Sequence, residues 1–181
     1  MARALLVIDI QLDYFPGGAY PLVAPEAAAT AAGRVLEAAR SEGWLVVHVQ
    51  HHSVDGTPFL VPGTEGAQIH PAVAPADDEL VVTKHAPNSF LETGLQETLS
   101  GAGVDDLVVA GMMTSMCVDS TVRSAAERGF TVTVVADACA APDLTLGAST
   151  VPGPQVHAAF LAALGGGFAT VTDSEALLAA R

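Results

Sequence analysis

A cysteine near the predicted start of a helix is the residue of this chain whose position most suggests chemistry. Cys117 follows an apolar strand, Asp106–Ala110, and a turn that begins at Gly111. The N–H groups and the dipole of a first helical turn favour a thiolate and can also hold an oxyanion. A nucleophile and an oxyanion site at one strand–helix junction are typical of a hydrolase that works through a covalent intermediate. The alternative is a small buried cysteine that only packs.

Two charged residues end other apolar strands. Asp9 ends the run Arg3–Asp9, and Lys84 ends the short run Glu79–Lys84. Because the carboxyl ends of parallel strands meet at one edge of a sheet, both residues are expected on the edge that carries Cys117. An aspartate could act as the base for a thiol, and a lysine could stabilise the anions. The alternatives are a turn cap for Asp9 and a solvated strand end for Lys84.

Several stretches match the motifs of one known family, and together they extend over nearly the whole chain. They are LLVIDIQLDYF, VVHVQHH, PGTEGAQIHP, VVTKHAPNSFLETGL, VVAGMMTSMCVDSTVRSAAERGF and VTVVADACAA, followed by a late His157. With these motifs the chain resembles the isochorismatase-like cysteine hydrolases, a superfamily that includes nicotinamidases and N-carbamoyl amidases. The resemblance implies that Asp9, Lys84 and Cys117 form the catalytic triad.

The resemblance also implies a reaction. It would be the metal-independent hydrolysis of a C–N bond in a small amide, ureido or cyclic amide compound, through a thioester on Cys117. The backbone N–H groups of Met113 and Cys117 would hold the oxyanion, and the peptide bond between Met112 and Met113 would be cis. Two alternatives stay open: acid-catalysed cleavage of a vinyl ether, as in the isochorismatase branch, and a member of the fold without catalysis.

Residues near these strand ends are candidates for the wall of a substrate pocket, since such walls are usually apolar and aromatic with a few polar groups. The expected substrate-binding residues are Gln11, Phe15, His51, His52, Phe59 and Met112, and Tyr14 is a further candidate. Ordinary packing is the alternative for each of them.

The histidines after the second predicted strand raise the question of a metal. Nicotinamidases of this superfamily hold a metal with an Asp-x-His pair in this region and a further His, whereas this chain reads Gln50-His51-His52-Ser53. Adjacent strand residues point to opposite faces, so His51 and His52 are poorly placed to bind one ion. We therefore expect no metal. The chain also lacks a Gly-x-Gly-x-x-Gly motif and a Walker lysine, so we expect no nucleotide cofactor.

Composition narrows the function further. The chain has 181 residues, which fits one domain over residues 1–181, and its net charge of −13 argues against binding nucleic acid or an anionic membrane. No apolar run reaches transmembrane length and no secretory signal is visible, so we expect a cytoplasmic protein. Two cysteines do not suggest a disulfide framework. The resemblance suggests a homo-oligomer, a dimer or larger, that acts on a small-molecule substrate.

Apolar strand-like runs alternate with helical ones along the chain. This alternation predicts an α/β fold of three layers, α/β/α, around a central, mainly parallel six-stranded sheet of the Rossmann-like kind. The segment Ser53–Asp78 has little periodicity and is expected to form a lid or a binding loop. The predicted strands are Arg3–Asp9, Leu45–Gln50, Leu80–Thr83, Asp106–Ala110, Thr131–Ala136 and Phe168–Val171, and the predicted helices are Pro25–Glu42, Phe90–Ser100, one from Cys117 to Gly129, and Gln155–Leu164.

Overall fold

The computed structural model describes residues 2–54 and 56–180, and within them it contains eight strands. They are β1 (Ala2–Ile8), β2 (Leu45–His51), β3 (Leu80–Lys84), β4 (Val104–Met112), β5 (Thr131–Ala140), β6 (Leu144–Leu146), β7 (Ser149–Val151) and β8 (Thr170–Thr172). Six strands form one sheet in the order β3-β2-β1-β4-β5-β8, and every neighbouring pair in it is parallel. Strands β6 and β7 form a separate antiparallel hairpin. The predicted six-stranded parallel sheet is therefore confirmed.

Helices cover both faces of this sheet. They are α1 (Pro25–Ser41), α2 (Leu95–Gly101), α3 (Asp119–Glu127), α4 (Gly153–Gly165) and α5 (Ser174–Ala179). Helices α1 and α5 lie on one face, where Leu36 is in the same core cluster as Leu5. Helices α2, α3 and α4 lie on the other face, where Leu99 and Val122 cluster with Leu6. Consecutive strand residues face opposite helical layers, so the residues on both faces must be apolar. For this reason β1 is continuously apolar from Ala4 onward and β4 from Leu107 onward. Among the described residues, no helix has both the length and the apolar character needed to cross a membrane.

The order of the strands determines where a site can form. From β1 the chain moves outward to β2 and β3, and then returns to pair β4 on the other side of β1. The strand order therefore reverses between β1 and β4. In an open parallel sheet, ligands bind at the carboxyl ends of the strands next to such a reversal. Asp9 follows β1 and the Cys117 turn follows β4, so both lie at this point.

Helix α2 starts later than predicted, at Leu95 rather than Phe90. The residues before it use side chains to bond nearby backbone. Asn88 Oδ1 accepts from the Phe90 N–H at 3.0 Å, and the Thr93 hydroxyl donates to the Ser89 carbonyl at 2.6 Å. Such local bonds compete with helical hydrogen bonds and delay the start of the helix.

Strand β5 is longer than predicted and places Cys139 inside the strand rather than just past it. A register shift between Val109 and Gly111 lets β5 continue along β4, with Cys139 opposite Gly111. The hairpin β6–β7 and helix α5 were not predicted. Their elements are three and six residues long, too short for periodicity to reveal them.

The long segment between β2 and β3 is tied to the turn that follows β1. Asp13 is buried, and its carboxylate accepts the Leu60 N–H at 2.6 Å. Gln11 forms an antiparallel bridge with Ile69. The part of the segment from Leu60 to Ile69 therefore packs at the carboxyl edge of the sheet, whereas Arg40 in α1 donates to the Ala74 carbonyl further along. Asp55 lies outside the described residues. The opening of the segment as a lid stays a prediction.

Candidate active site

The three charged or nucleophilic residues singled out from the sequence meet at one buried point. The Lys84 Nζ lies 2.7 Å from Asp9 Oδ2 and 3.2 Å from Cys117 Sγ. Asp9 is 0 % exposed, Lys84 1 % and Cys117 5 %. Lys84 is thus not the solvated strand end that was the alternative interpretation, and the Asp9 carboxylate pairs with a buried charge.

The backbone around Asp9 is unusual and is held in place by its neighbours. Asp9 adopts a left-handed conformation with φ of 50°, which is uncommon outside glycine but is reached more readily by Asp and Asn. Its N–H donates to the Val49 carbonyl at 2.9 Å, and its own carbonyl accepts from the Gln11 N–H at 2.9 Å. Residues held in such conformations cluster at functional sites.

Gly111 allows the ends of β1 and β4 to approach closely. Its φ is +155°, and a Cβ built there would overlap the carbonyl oxygen of Ile8. Only glycine avoids this overlap. Because Ile8 directly precedes Asp9, Gly111 helps to set the distance between the Asp9 carboxylate and the Cys117 turn.

Cys117 lies in a π-helical turn, Thr114–Val118, which leads directly into α3. The Met113 carbonyl accepts the N–H groups of Met116 (3.1 Å) and Val118 (3.2 Å), and the Met112–Met113 peptide bond is cis. Met112, expected to line the pocket, is fully buried in the core instead. Met112 is the last residue of β4, and its side chain lies on the face of the sheet that α1 covers. It therefore contributes to core packing.

Burial governs the protonation of the nucleophile. It raises the pKa of the Cys117 thiol well above its usual value; the negative charge of Asp9 raises it further, and Lys84 opposes both. Burial also raises the pKa of Asp9, against the lowering effect of Lys84. The helix start was expected to favour a thiolate at Cys117, and the direction of this pKa shift opposes that expectation for the free protein. Burial thus disfavours a negative charge on either side chain, and the nearby Lys84 opposes that effect at both.

His51 joins the cluster through the lysine. Its Nδ1 lies 3.0 Å from Lys84 Nζ, and its pKa is lowered to about 4 by burial and then by the charge of Lys84. The imidazole is therefore neutral at pH 7, with Nδ1 as the acceptor. His52 differs: its main-chain N–H donates to the Lys84 carbonyl at 2.9 Å, and its carbonyl lies 2.7 Å from His85 Nδ1. Only the first of the two adjacent histidines reaches the triad through its ring.

Gln11 positions His51 and is not a wall of the pocket. Its Oε1 accepts the His51 N–H at 2.8 Å, and its Nε2 donates to the carbonyls of His51 (2.9 Å) and Ala67 (2.7 Å). The side chain is fully buried, and its amide is used by these protein groups. This corrects the expectation that Gln11 contacts substrate.

The aromatic residues expected near the pocket make different contacts. Phe15 is 6 % exposed and stacks on His70 with ring centroids 4.0 Å apart. Phe59 packs edge-on against Tyr14 at 5.2 Å. Burial raises the pKa of Tyr14, and an ionised Cys117 or Asp9 would raise it further, so this residue lies near the triad.

Two groups near the site were missed from the sequence. The Ala86 carbonyl accepts from Lys84 Nζ at 3.0 Å, and no side-chain pattern could have indicated a backbone acceptor. Thr114 Oγ1 lies 2.9 Å from His157 Nδ1 and so links the Cys117 turn to α4. The isolated His157 in the predicted helix was a signal, but its partner lies 43 positions earlier in the chain.

The histidines do not form the metal site of a nicotinamidase. The His70 Nδ1 accepts the Ala72 N–H at 3.2 Å, and its ring stacks on Phe15. Among the described residues, the one group of three potential ligands is Asp9, His51 and Cys117, which includes neither His52 nor His70. Neither His52 nor His70 therefore belongs to a cluster of potential ligands in the described part of the chain, and the absence of a metal stays a prediction.

Comparison with known proteins identifies the family of this chain. Residues 3–176 match the family model of the isochorismatase domain. The uncharacterized isochorismatase family protein YddQ of Bacillus subtilis is 50% identical over 179 residues, covering 98% of this chain and 99% of YddQ. Streptothricin hydrolase of Streptomyces noursei is 39% identical, covering 90% of this chain and 59% of that protein. Maleamate amidohydrolase of Pseudomonas putida is 36% identical, covering 73% of this chain and 69% of that protein.

Solved structures share the whole fold. The structure of an isochorismatase-family hydrolase from Oleispira antarctica matches with a TM-score of 0.95 and 45% identity, over 98% of this chain and 96% of the other. N-carbamoylsarcosine amidase from Thermoplasma acidophilum matches with a TM-score of 0.79 and 26% identity, over 97% of this chain and 98% of the other. These similarities confirm the three-layer fold and the resemblance that the motifs indicated.

Proposed function

This chain belongs to the isochorismatase family of hydrolases, and on that premise we propose that it is a metal-independent cysteine hydrolase of C–N bonds. Its substrate would be a small amide, ureido or cyclic amide compound. The observation that carries the proposal is the buried contact of Lys84 Nζ with both Asp9 Oδ2 and Cys117 Sγ. The names of two relatives, maleamate amidohydrolase and N-carbamoylsarcosine amidase, describe the same class of bond.

Acylation begins with a proton transfer inside the cluster. Asp9 takes the Cys117 proton as the sulfur attacks the substrate carbonyl, so the negative charge moves from carboxylate to sulfur and then to the carbonyl oxygen. The N–H groups of Met113 and Cys117 would receive that oxyanion. The tetrahedral intermediate collapses when protonated Asp9 donates its proton to the leaving nitrogen, and the products are an amine or ammonia and a thioester on Cys117.

Deacylation uses the same carboxylate. Asp9 accepts a proton from a water molecule that attacks the thioester carbonyl, and it returns this proton to the sulfur as the acid leaves. The Lys84 Nζ lies against both Asp9 and Cys117 and so stays close to whichever of them carries the charge. Its role is to stabilise one negative charge in a site where burial disfavours any.

Matched cysteine variants test the nucleophile. Cys117→Ala should abolish ammonia release or ring opening across a panel of small amides, ureido compounds and cyclic amides, whereas Cys139→Ser should retain it. Cys139 is buried inside β5 opposite Gly111 and has no place in the mechanism. With a slow substrate, intact-mass analysis should place an acyl adduct on Cys117. Turnover by Cys117→Ala, or an adduct on Cys139, would contradict the assignment.

The absence of a metal requirement is tested separately. Elemental analysis of the purified protein and turnover in excess chelator should show neither a stoichiometric metal nor a loss of rate. One zinc or iron per chain with chelator-sensitive turnover would contradict this part of the proposal.

A second candidate function is acid-catalysed cleavage of a vinyl ether. The observation that favours it is the raised pKa of Asp9, because a carboxyl group that holds its proton can act as a general acid. Alkylation of Cys117 separates the two functions. Alkylation should stop amide hydrolysis, because that reaction needs the sulfur. A vinyl ether hydrolase would lose turnover on alkylation only because the added group excludes the substrate, and its Cys117→Ala variant would retain turnover.

A further inference from the structure

The surroundings of the Lys84 ammonium have the arrangement of a metal coordination shell. Four protein atoms surround Nζ: Asp9 Oδ2 at 2.7 Å, His51 Nδ1 at 3.0 Å, the Ala86 carbonyl oxygen at 3.0 Å and Cys117 Sγ at 3.2 Å. An ammonium has three N–H groups, so it cannot donate a full hydrogen bond to all four at once. The side chain therefore acts as a cation within a cage of acceptors.

Three of these atoms are ligands of the kind that zinc and cobalt use. A carboxylate oxygen, an imidazole nitrogen and a thiolate sulfur are the common protein ligands of Zn²⁺. Here the ligand atoms of Asp9, His51 and Cys117 all lie within 4.8 Å of one another. Around a tetrahedral Zn²⁺ such atoms would be roughly 3.3–3.6 Å apart, from bond lengths of about 2.0–2.3 Å. Small side-chain movements would close the difference.

The contacts of these side chains also suit a metal. The His51 Nδ1 lies 3.0 Å from Lys84 Nζ, so a ring nitrogen already faces the position of the ammonium. Asp9 is buried, and without Lys84 its carboxylate would lose its one counter-charge among the described contacts. A metal that binds the sulfur would displace the thiol proton.

We propose that the Lys84 ammonium occupies a latent metal site formed by Asp9, His51 and Cys117, and that it thereby keeps thiophilic divalent ions off the nucleophile. The ammonium and a divalent ion cannot share the position, because like charges at this separation repel strongly in a buried site. Removal of the ammonium should therefore create a site. In that step bonds form from the metal to sulfur, nitrogen and oxygen, the thiol proton goes to solvent, and no group is oxidised or reduced.

Cobalt titration of a lysine variant tests the proposal without any substrate, so the result does not depend on the reaction proposed above. Lys84→Ala should bind one Co²⁺ per chain, with thiolate-to-cobalt charge-transfer absorption. Its affinity should exceed that of the wild type by about 100-fold or more, since the repulsion is removed. Lys84→Leu, which fills the space with an apolar side chain, should bind no better than the wild type.

The two cysteines supply the matched controls. The charge-transfer band should disappear in Lys84→Ala/Cys117→Ser and persist in Lys84→Ala/Cys139→Ser. A band that survives the loss of Cys117 would overturn the proposal, and so would a wild-type protein that binds Co²⁺ as tightly as Lys84→Ala.

Stability provides a second readout, because Lys84→Ala leaves a buried carboxylate without its partner. Co²⁺ should raise the melting temperature of this variant relative to chelator, or refold it if the metal-free chain is unfolded, since a ligand that binds only the folded state stabilises it. Circular dichroism in chelator and in excess Co²⁺ measures this effect. A Lys84→Ala chain that gains no stability from excess Co²⁺ would refute the latent site.

Discussion

Replacing Lys84 by methionine should destabilise the protein by an amount that depends on pH. The substitution keeps much of the side-chain length but removes the ammonium that lies 2.7 Å from Asp9 Oδ2. Both side chains are 0 % exposed, so water cannot replace the lost interaction. A buried charge that loses its partner costs about 3–5 kcal/mol of folding free energy.

Proton uptake by Asp9 limits this cost. In the variant, the folded state can hold a proton on Asp9 that the unfolded chain releases above its ordinary pKa of 3.8. A raised folded-state pKa means that stability falls as the pH rises, and each pH unit is worth about 1.4 kcal/mol. The part of the cost that comes from an ionised Asp9 therefore cannot exceed about 4 kcal/mol at pH 7 and about 2 kcal/mol at pH 5.

Urea unfolding of the wild type and of Lys84→Met at pH 5 and pH 7 measures the difference. The double variant Asp9→Asn/Lys84→Met is the control, because it has no carboxylate at this site. Its loss of stability should be small and independent of pH. An equal loss for Lys84→Met at the two pH values, or a double variant as unstable as the single one, would refute the reasoning.

Two further predictions follow from the ionised groups. The value of kcat/KM should fall on acidification through the raised pKa of Asp9, because a protonated carboxyl group cannot accept the thiol proton. A pH–rate profile tests this, with circular dichroism to check that the protein stays folded. An acid limb with a midpoint at or below pH 3.8 would contradict the prediction. Glu79 accepts two bonds of 2.7 Å from Arg40 and lies 2.8 Å from His48 Nε2, and its pKa is lowered to about 2. The ionised Glu79 stabilises the folded protein above pH 4.5, and this stabilisation is lost as the pH falls towards 2. Glu79→Gln should therefore lower the free energy of unfolding by about 1–3 kcal/mol at pH 7 and by progressively less below pH 4.5. Urea unfolding measures this difference. A cost of the same size at pH 3 would show that hydrogen bonds rather than charge carry the effect.

The sheet and the location of the site could be predicted from the sequence. Strands buried on both faces must be continuously apolar, and this pattern is visible in the amino acids themselves. The carboxyl ends of parallel strands share one edge, so Asp9, Lys84 and Cys117 could be placed together before any contact was known. The short strands β6 and β7 could not be predicted, because three residues are too few to show a hydrophobic period.

What only the tertiary structure decided is the state of the groups at that edge. The sequence placed Cys117 at a helix start and so favoured a thiolate, but burial by α3 and its neighbours outweighs the helix and keeps the thiol protonated. Gln11 and His51 were both expected to bind substrate. In the structure the Gln11 side chain bonds the backbone of His51, whereas the His51 ring contacts Lys84. Desolvation and the orientation of side chains depend on packing among residues tens of positions apart, and local sequence carries no measure of either.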